Sequence, residues 1–200
     1  MRWAISFTPV PRPLEQGADG EGSWLVSEAI AARTAVSDHG KSSPARAVPS
    51  LGEGLRAMHD ALPVLDCPFS WAAEDRLSDA RCGSAAGQID RSQWHSELRH
   101  LSVERALALL ADIPPIDRAV VCHGDACAPN TLLTKEGRWV AHVDLGRLGV
   151  ADRWADLAVA TWSALWNYGP GWDAVVLDAY GIGSDPDRTR YYRLLWDLGG

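Results

Sequence analysis

Apolar positions recur along the chain with two different periods. In "LGEGLRAMHDAL", Leu51, Leu55, Met58 and Leu62 fall three or four residues apart, which predicts one amphipathic helix face despite Gly54. "VERALALLADI" (103–113) repeats that spacing and is stopped by Pro114 and Pro115. Beyond residue 117 the pattern shortens. "AVVC", "NTLL" and, after a "KEGR" turn, "WVAHVD" are short apolar runs that predict short strands. From Trp154 onward, "WADLAVATWSALWN", "GWDAVVLDAYG" and "DPDRTRYYRLLWDL" predict helices, the last opening on acids that suit the positive end of a helix dipole. Nearer the start, "SWLVSEAI" (23–30) predicts a buried strand preceded by the turn-rich "EQGADGEG". Residues 31–50 are rich in serine and broken by proline, and predict a linker; residues 66–100 predict irregular polar chain anchored by Trp71 and Trp94. No internal repeat is present. The order is α+β, mostly helical in its second half.

Composition narrows the function classes. No apolar run reaches the roughly 18 to 20 residues of a membrane span, and "MRWAISFTPVPRP" lacks the apolar core of a signal peptide. A cytoplasmic protein with no membrane partner is expected. A formal net charge of -7 argues against nonspecific nucleic-acid binding and suits a cationic partner. Cys67, Cys82, Cys122 and Cys127 fall at no zinc-ligand spacing, so free buried thiols are expected.

The chemistry concentrates in two strings, "CHGDACAPN" (122–130) and "DLGRLGVADR" (144–153). An Asp in a loop between short strands can accept a hydroxyl proton, and Asp125 has that setting. Asn130 and Asp144 offer the hard oxygen ligands that magnesium prefers. Protein kinases use such a set: a catalytic-loop Asp, an Asn five residues on that binds metal, and a second metal-binding Asp on a later turn. Here His-Gly-Asp stands in place of His-Arg-Asp, and Leu-Gly follows Asp144 in place of Phe-Gly. Plainer roles compete at several positions. His123 and Gly124 suit a turn with a satisfied core histidine, Asp152 and Asp156 suit helix capping or structural pairing, and Arg147 suits pairing with a neighbouring acid.

With these strings, "VDLGRLGVADRWADLA", the terminal "YYRLLWDL" and the hinge-like "WLVSEA", nearly the whole chain resembles the aminoglycoside 3'-phosphotransferases and their wider antibiotic-kinase relatives. The resemblance implies a protein-kinase-like fold, mainly the helical C-terminal lobe. Residues 1–30 would be a β-hairpin remnant of the nucleotide lobe with the hinge, and residues 31–200 the catalytic and substrate-binding lobe. It implies ATP and Mg2+ as cofactors and a small cationic substrate. Asp125 would be the catalytic base, Asn130 and Asp144 the metal ligands, and the backbone of Ser27 and Ala29 the adenine contacts. Asp90, Glu97, Arg147 and Asp197 would face the substrate.

Two departures from the family pattern bear on function. Phosphoryl transfer also calls for a Gly-rich segment and a strand lysine before the hinge, yet Lys41 and Lys135 are the only lysines and both follow it. Trp162 and Trp166 stand where the family carries an Arg and an acid directed at the cationic substrate. Three readings follow: a kinase of an aminoglycoside-type antibiotic, a truncated or degenerate member without turnover, and a kinase of another small hydroxyl compound. Strands that covered the larger lobe would leave apolar surface on that lobe if absent, so association is expected.

Overall fold

The computed structural model describes residues 1–199; Gly200, the last residue of the 31–200 unit, lies outside the described residues. After a short 3-10 turn at Ala4–Ser6 come β1 (Pro13–Asp19) and β2 (Gly22–Ser27), then β3 (Arg33–Thr34), α1 (Asp38–Lys41), α2 (Pro44–Ala61), α3 (Ala73–Ala85) and α4 (Val103–Leu110). The second half runs β4 (Ala119–Cys122), β5 (Thr131–Leu133), β6 (Trp139–His142), β7 (Gly149–Asp152), α5 (Trp154–Tyr168), α6 (Trp172–Tyr180) and α7 (Pro186–Gly199). The strands form three small antiparallel sheets, ordered β1-β2, β3-β5-β6 and β4-β7.

The helices bury the predicted apolar faces. Leu51, Leu55 and Met58 of α2, Leu157 and Trp162 of α5, Tyr180 of α6 and Leu195 of α7 are almost fully enclosed. Gly54 suits the middle of α2 because Trp139 of β6 lies where a Cβ would project. Trp94 is buried and Trp71 half-buried, the anchoring role their positions predicted.

Several expectations need correction. The stretch 31–50 is no linker: α2 begins at Pro44, where proline's missing N–H is harmless at the first turn, and it runs through Pro49. Residues 66–100 contain α3, whose inward stripe of Ala73, Arg76, Leu77 and Ala80 is too small and too polar to show as an apolar period. In place of the buried strand expected over residues 23–30, β2 ends at Ser27 and is exposed along its whole length, because it pairs only with β1. Exposed apolar side chains gather on the hairpin, at Leu14, Trp24, Leu25 and Val26, and others stand on the body, among them Leu65, Phe69 and Ile116. Of the cysteines, all free, Cys122 is buried and Cys82 exposed.

Candidate active site

The loop between β4 and β5 is built by the strand pairings around it. In the β5-β6 hairpin Thr131 faces His142, so the residues just beyond, Asn130 and Val143, meet at one end, and the Val143 N–H donates to the Asn130 carbonyl at 3.0 Å. Asp144 follows immediately. The hairpin thus sets Asn130 beside Asp144 although fourteen residues separate them. The Asn130 side-chain amide donates to the Asp125 carbonyl at 3.0 Å and to Asp125 Oδ2 at 3.2 Å. The residue expected as the base and the two expected as metal ligands thus lie in one place.

His123 has the structural role that its plainer reading gave it. Its Nδ1 accepts the Asp125 N–H at 3.2 Å, so the proton sits on Nε2, which donates to the Val143 carbonyl at 2.8 Å. One neutral imidazole therefore ties the Asp125 loop to the strand end that carries Asp144. Gly124 has a φ of 86°, and a Cβ there would run into the backbone carbonyl of Arg147. That close approach explains why glycine stands where a protein kinase has arginine. Gly124→Ala combines a left-handed backbone with a clash, and is expected to cost about 2–4 kcal/mol and to lower turnover at least tenfold, read by chemical denaturation and steady-state kinetics.

Beneath the loop lies Asp156 of α5, fully buried. Its Oδ2 accepts the His123 N–H at 2.6 Å and its Oδ1 the Gly124 N–H at 2.9 Å, while His59 Nε2 donates to Oδ2 at 3.0 Å. Tyr180 completes the chain by donating to His59 Nδ1 at 2.8 Å. Burial pushes the Asp156 carboxyl up, but the hydrogen bond from His59, with the backbone donors, outweighs it and holds the group below the usual carboxylate range. Asp156 pairs structurally, as one of its two readings held, and Asp152 does too: its Oδ1 accepts the Trp154 N–H in the first turn of α5, and Arg188 reaches its Oδ2. His59, Cys122 and Asp156 offer three donor atoms within 4.8 Å of one another. These are hydrogen-bonded core groups: burial keeps the Cys122 thiol protonated, and it donates to the Asp152 carbonyl. His59 lies four residues beyond Leu55 on the apolar face of α2, a polar residue on a buried stripe, and that signal could have singled it out.

His142, at the end of β6, sits within 5.6 Å of His123 ring to ring and is buried with Nδ1 unpartnered. Burial pushes its pKa down to about 3. The unfolded chain takes up this proton near pH 6.5 and the folded one only near 3, so stability falls as pH drops through that window. Urea titrations at pH 7.0 and 4.5 are expected to show a loss about 2–3 kcal/mol larger for the wild type than for His142→Gln.

Two atoms bear on metal and substrate. Asp125 Oδ1 is buried and makes no hydrogen bond. Asn130 spends only its amide nitrogen, which leaves its carbonyl oxygen free to coordinate. Asp144 is exposed, in no ion pair among the described residues, and holds a left-handed backbone with φ of 61°. An all-oxygen donor set of this kind fits magnesium.

The predicted substrate contacts separate. Asp90 and Asp197 line one open cavity of about 350 Å³, while Glu97 lines another of about 320 Å³ with Trp162, Asp173, Arg190 and Arg193. Asp90 is also engaged locally, accepting from Ser92. Arg147 stands against Gly124, its guanidinium 5.8 Å from the Trp71 ring centre, and makes no ion pair with an acid among the described residues. Ser27 ends β2 opposite Pro13, and Ala29 is exposed beyond it.

The family model of the phosphotransferase enzyme family matches residues 2–192. The chain belongs to this family. Among phosphotransferase relatives, the aminoglycoside 3'-phosphotransferase of Streptomyces fradiae is 36% identical, over 94% of this chain and 72% of its own. The crystal structure of an aminoglycoside 3'-phosphotransferase of type VIII superposes with a TM-score of 0.87 at 31% identity, over 98% of this chain and 76% of that one. An aminoglycoside phosphotransferase of Streptomyces rimosus, solved with ADP and streptomycin, gives 0.80 at 30% identity, over 96% and 76%. These structures share the protein-kinase-like, α+β fold of the phosphotransferase described above. No helix among the described residues is long and apolar enough to cross a membrane.

Proposed function

We propose that this chain is an ATP- and magnesium-dependent phosphotransferase acting on a hydroxyl of an aminoglycoside-type antibiotic, and so confers resistance. The observation that carries the reading is the Asp125, Asn130 and Asp144 constellation, with a buried carboxylate oxygen left unpartnered at its centre. Asp125 Oδ1 would orient the acceptor hydroxyl and take its proton as that oxygen bonds to the terminal phosphorus and the bond to the ADP oxygen breaks. Asn130 holds the other carboxylate oxygen, which fixes the direction in which Oδ1 points. Magnesium bound to Asn130 and Asp144 would offset charge on the phosphates. In this reading residues 1–30 serve the nucleotide, with the backbone of Ser27 and Ala29 at the adenine, and residues 31–200 serve catalysis and acceptor binding.

A second reading, binding without turnover, draws on one observation: residues 1–40 contain no lysine to hold the phosphates. One assay separates the two. Purified chain is incubated with labelled ATP, magnesium and kanamycin, neomycin or streptomycin. Phosphate incorporation that requires both drug and metal is the expected result. Drug binding without incorporation would favour the second reading, and neither binding nor incorporation would overturn both.

A further inference from the structure

The catalytic loop ends in a 3-10 turn, Ala128–Asn130, and that turn has a support of its own. It is closed by the Asn130 N–H on the Cys127 carbonyl at 2.9 Å and by the Thr131 N–H on the Ala128 carbonyl. Two such bonds close a short turn without fixing how it sits on the body. Side chains from two distant parts of the chain do that. On one side, Ser163 Oγ of α5 accepts the Ala128 N–H at 2.9 Å. On the other, the Thr34 hydroxyl of β3 donates to the Pro129 carbonyl at 2.8 Å. With the Val143 N–H on the Asn130 carbonyl, each residue of the turn is held from outside.

Both hydroxyls are themselves placed by the fold. Ser163 lies seven residues past Asp156, two turns along α5, so the two side chains share one face about 10 Å apart along the axis. Asp156 holds the His123–Gly124 end of the loop and Ser163 its Ala128 end. Ser163 is buried, and the Asn167 amide donates to its carbonyl at 2.8 Å and to its Oγ at 3.2 Å. Thr34 is fixed by strand pairing: it stands opposite Leu132 of β5, and its Oγ also accepts the Val36 N–H at 3.4 Å.

The turn matters because of what Asn130 has left to give. Its amide nitrogen is committed to Asp125, so the direction of its carbonyl oxygen follows the backbone of the turn. Asp144 sits on a separate segment and bonds to neither hydroxyl among the described residues. A tilt of the turn would therefore move one metal ligand against the other. Resting on the phosphotransferase reading above, we infer that Thr34 and Ser163 are positioning residues that act through Asn130 and set how tightly the site holds its metal ion.

The test is a double-mutant cycle read by metal binding. Mn2+, which suits the same oxygen donors as magnesium, is titrated into protein and ADP, and the free ion is counted by its paramagnetic resonance. Thr34→Val keeps the side chain's shape and removes the hydroxyl, and Thr34→Ser keeps the hydroxyl. Thr34→Val and Ser163→Ala are each expected to weaken Mn2+ binding about tenfold, and Thr34→Ser to stay within about twofold of wild type. In an Asn130→Ala background, Thr34→Val should change the affinity by less than about twofold, because the ligand it acts through is gone. Ser163→Ala leaves a buried N–H without its acceptor, so the decision rests on Thr34, whose bond to Pro129 lies near solvent. In the phosphorylation assay, Thr34→Val should raise the magnesium concentration for half-maximal rate more than it lowers the rate at saturating magnesium. Unchanged Mn2+ affinity in Thr34→Val, or an equal loss with and without Asn130, overturns the inference while leaving the phosphotransferase reading intact. The expected Mn2+ pattern without phosphorylation of any drug supports the inference and counts against catalysis. Wild type that holds no Mn2+ beyond what ADP alone holds overturns both.

Discussion

An Asp125→Ala protein should fold as the wild type does and lose about two to four orders of magnitude in turnover, the usual contribution of a positioned general base. The two halves of that expectation have separate causes. Oδ1 of Asp125 is buried without a hydrogen bond, so its removal forfeits no stabilising contact, and the one bond lost is that from the Asn130 amide to Oδ2. That amide still reaches the backbone carbonyl of residue 125. A thermal melt within about 2 °C of wild type, together with drug-dependent phosphorylation near background, is the expected pair of results. Asp125→Asn sharpens it, since the amide keeps shape and removes basicity. Near-normal turnover by either variant would remove Asp125 from the chemistry.

Asp156→Ala should show the opposite profile, with stability failing first. The substitution leaves two backbone N–H groups, those of His123 and Gly124, and the His59 ring without their acceptor in a fully buried place. Breaking a buried hydrogen-bonded pair of this kind costs about 3–5 kcal/mol. For a chain of this size that lowers the melting temperature by roughly 10 °C. The same carboxylate gives an acid dependence. Because its folded pKa is depressed, its contribution is complete above the ordinary carboxylate range and is lost as pH falls through the lower folded value. Asp156→Asn keeps one acceptor oxygen and should recover part of the loss. Chemical denaturation at neutral pH, run on all three proteins, measures it.

The sequence carried the catalytic loop more legibly than its support. Asp125, Asn130 and Asp144 stood out because three oxygen-bearing side chains at fixed spacing between apolar runs have few structural explanations, and the β5-β6 hairpin does bring them together. The helices after Trp154 were legible for a similar reason, since their buried stripes are long and apolar. α3 was hidden because its inward face includes Arg76, enclosed at 4.4 Å from the centre of the Trp71 ring, with its pKa pushed down to about 10 by burial. The start of α2 was hidden by prolines that usually end helices, and β7 by being four residues that finish on a buried acid. Strand β2 misled in the other direction: its apolar run looks like core, yet nothing in the body covers it. The tie from His59 to Asp156 joins residues 97 positions apart, and no local pattern contains it.

That uncovered hairpin bears on how freely the chain can vary. No residue from 13 to 27 is buried, and none belongs to either hydrophobic cluster. Substitutions there, short of disrupting the turn, should leave the stability of the body almost untouched, since surface changes away from packed features usually fall within about 0.5 kcal/mol. Selection on those fifteen positions then acts through what they bind far more than through whether the protein folds. The segment is open to evolutionary drift or tuning in a way that the Asp156 network, where each group has several partners to satisfy, is not.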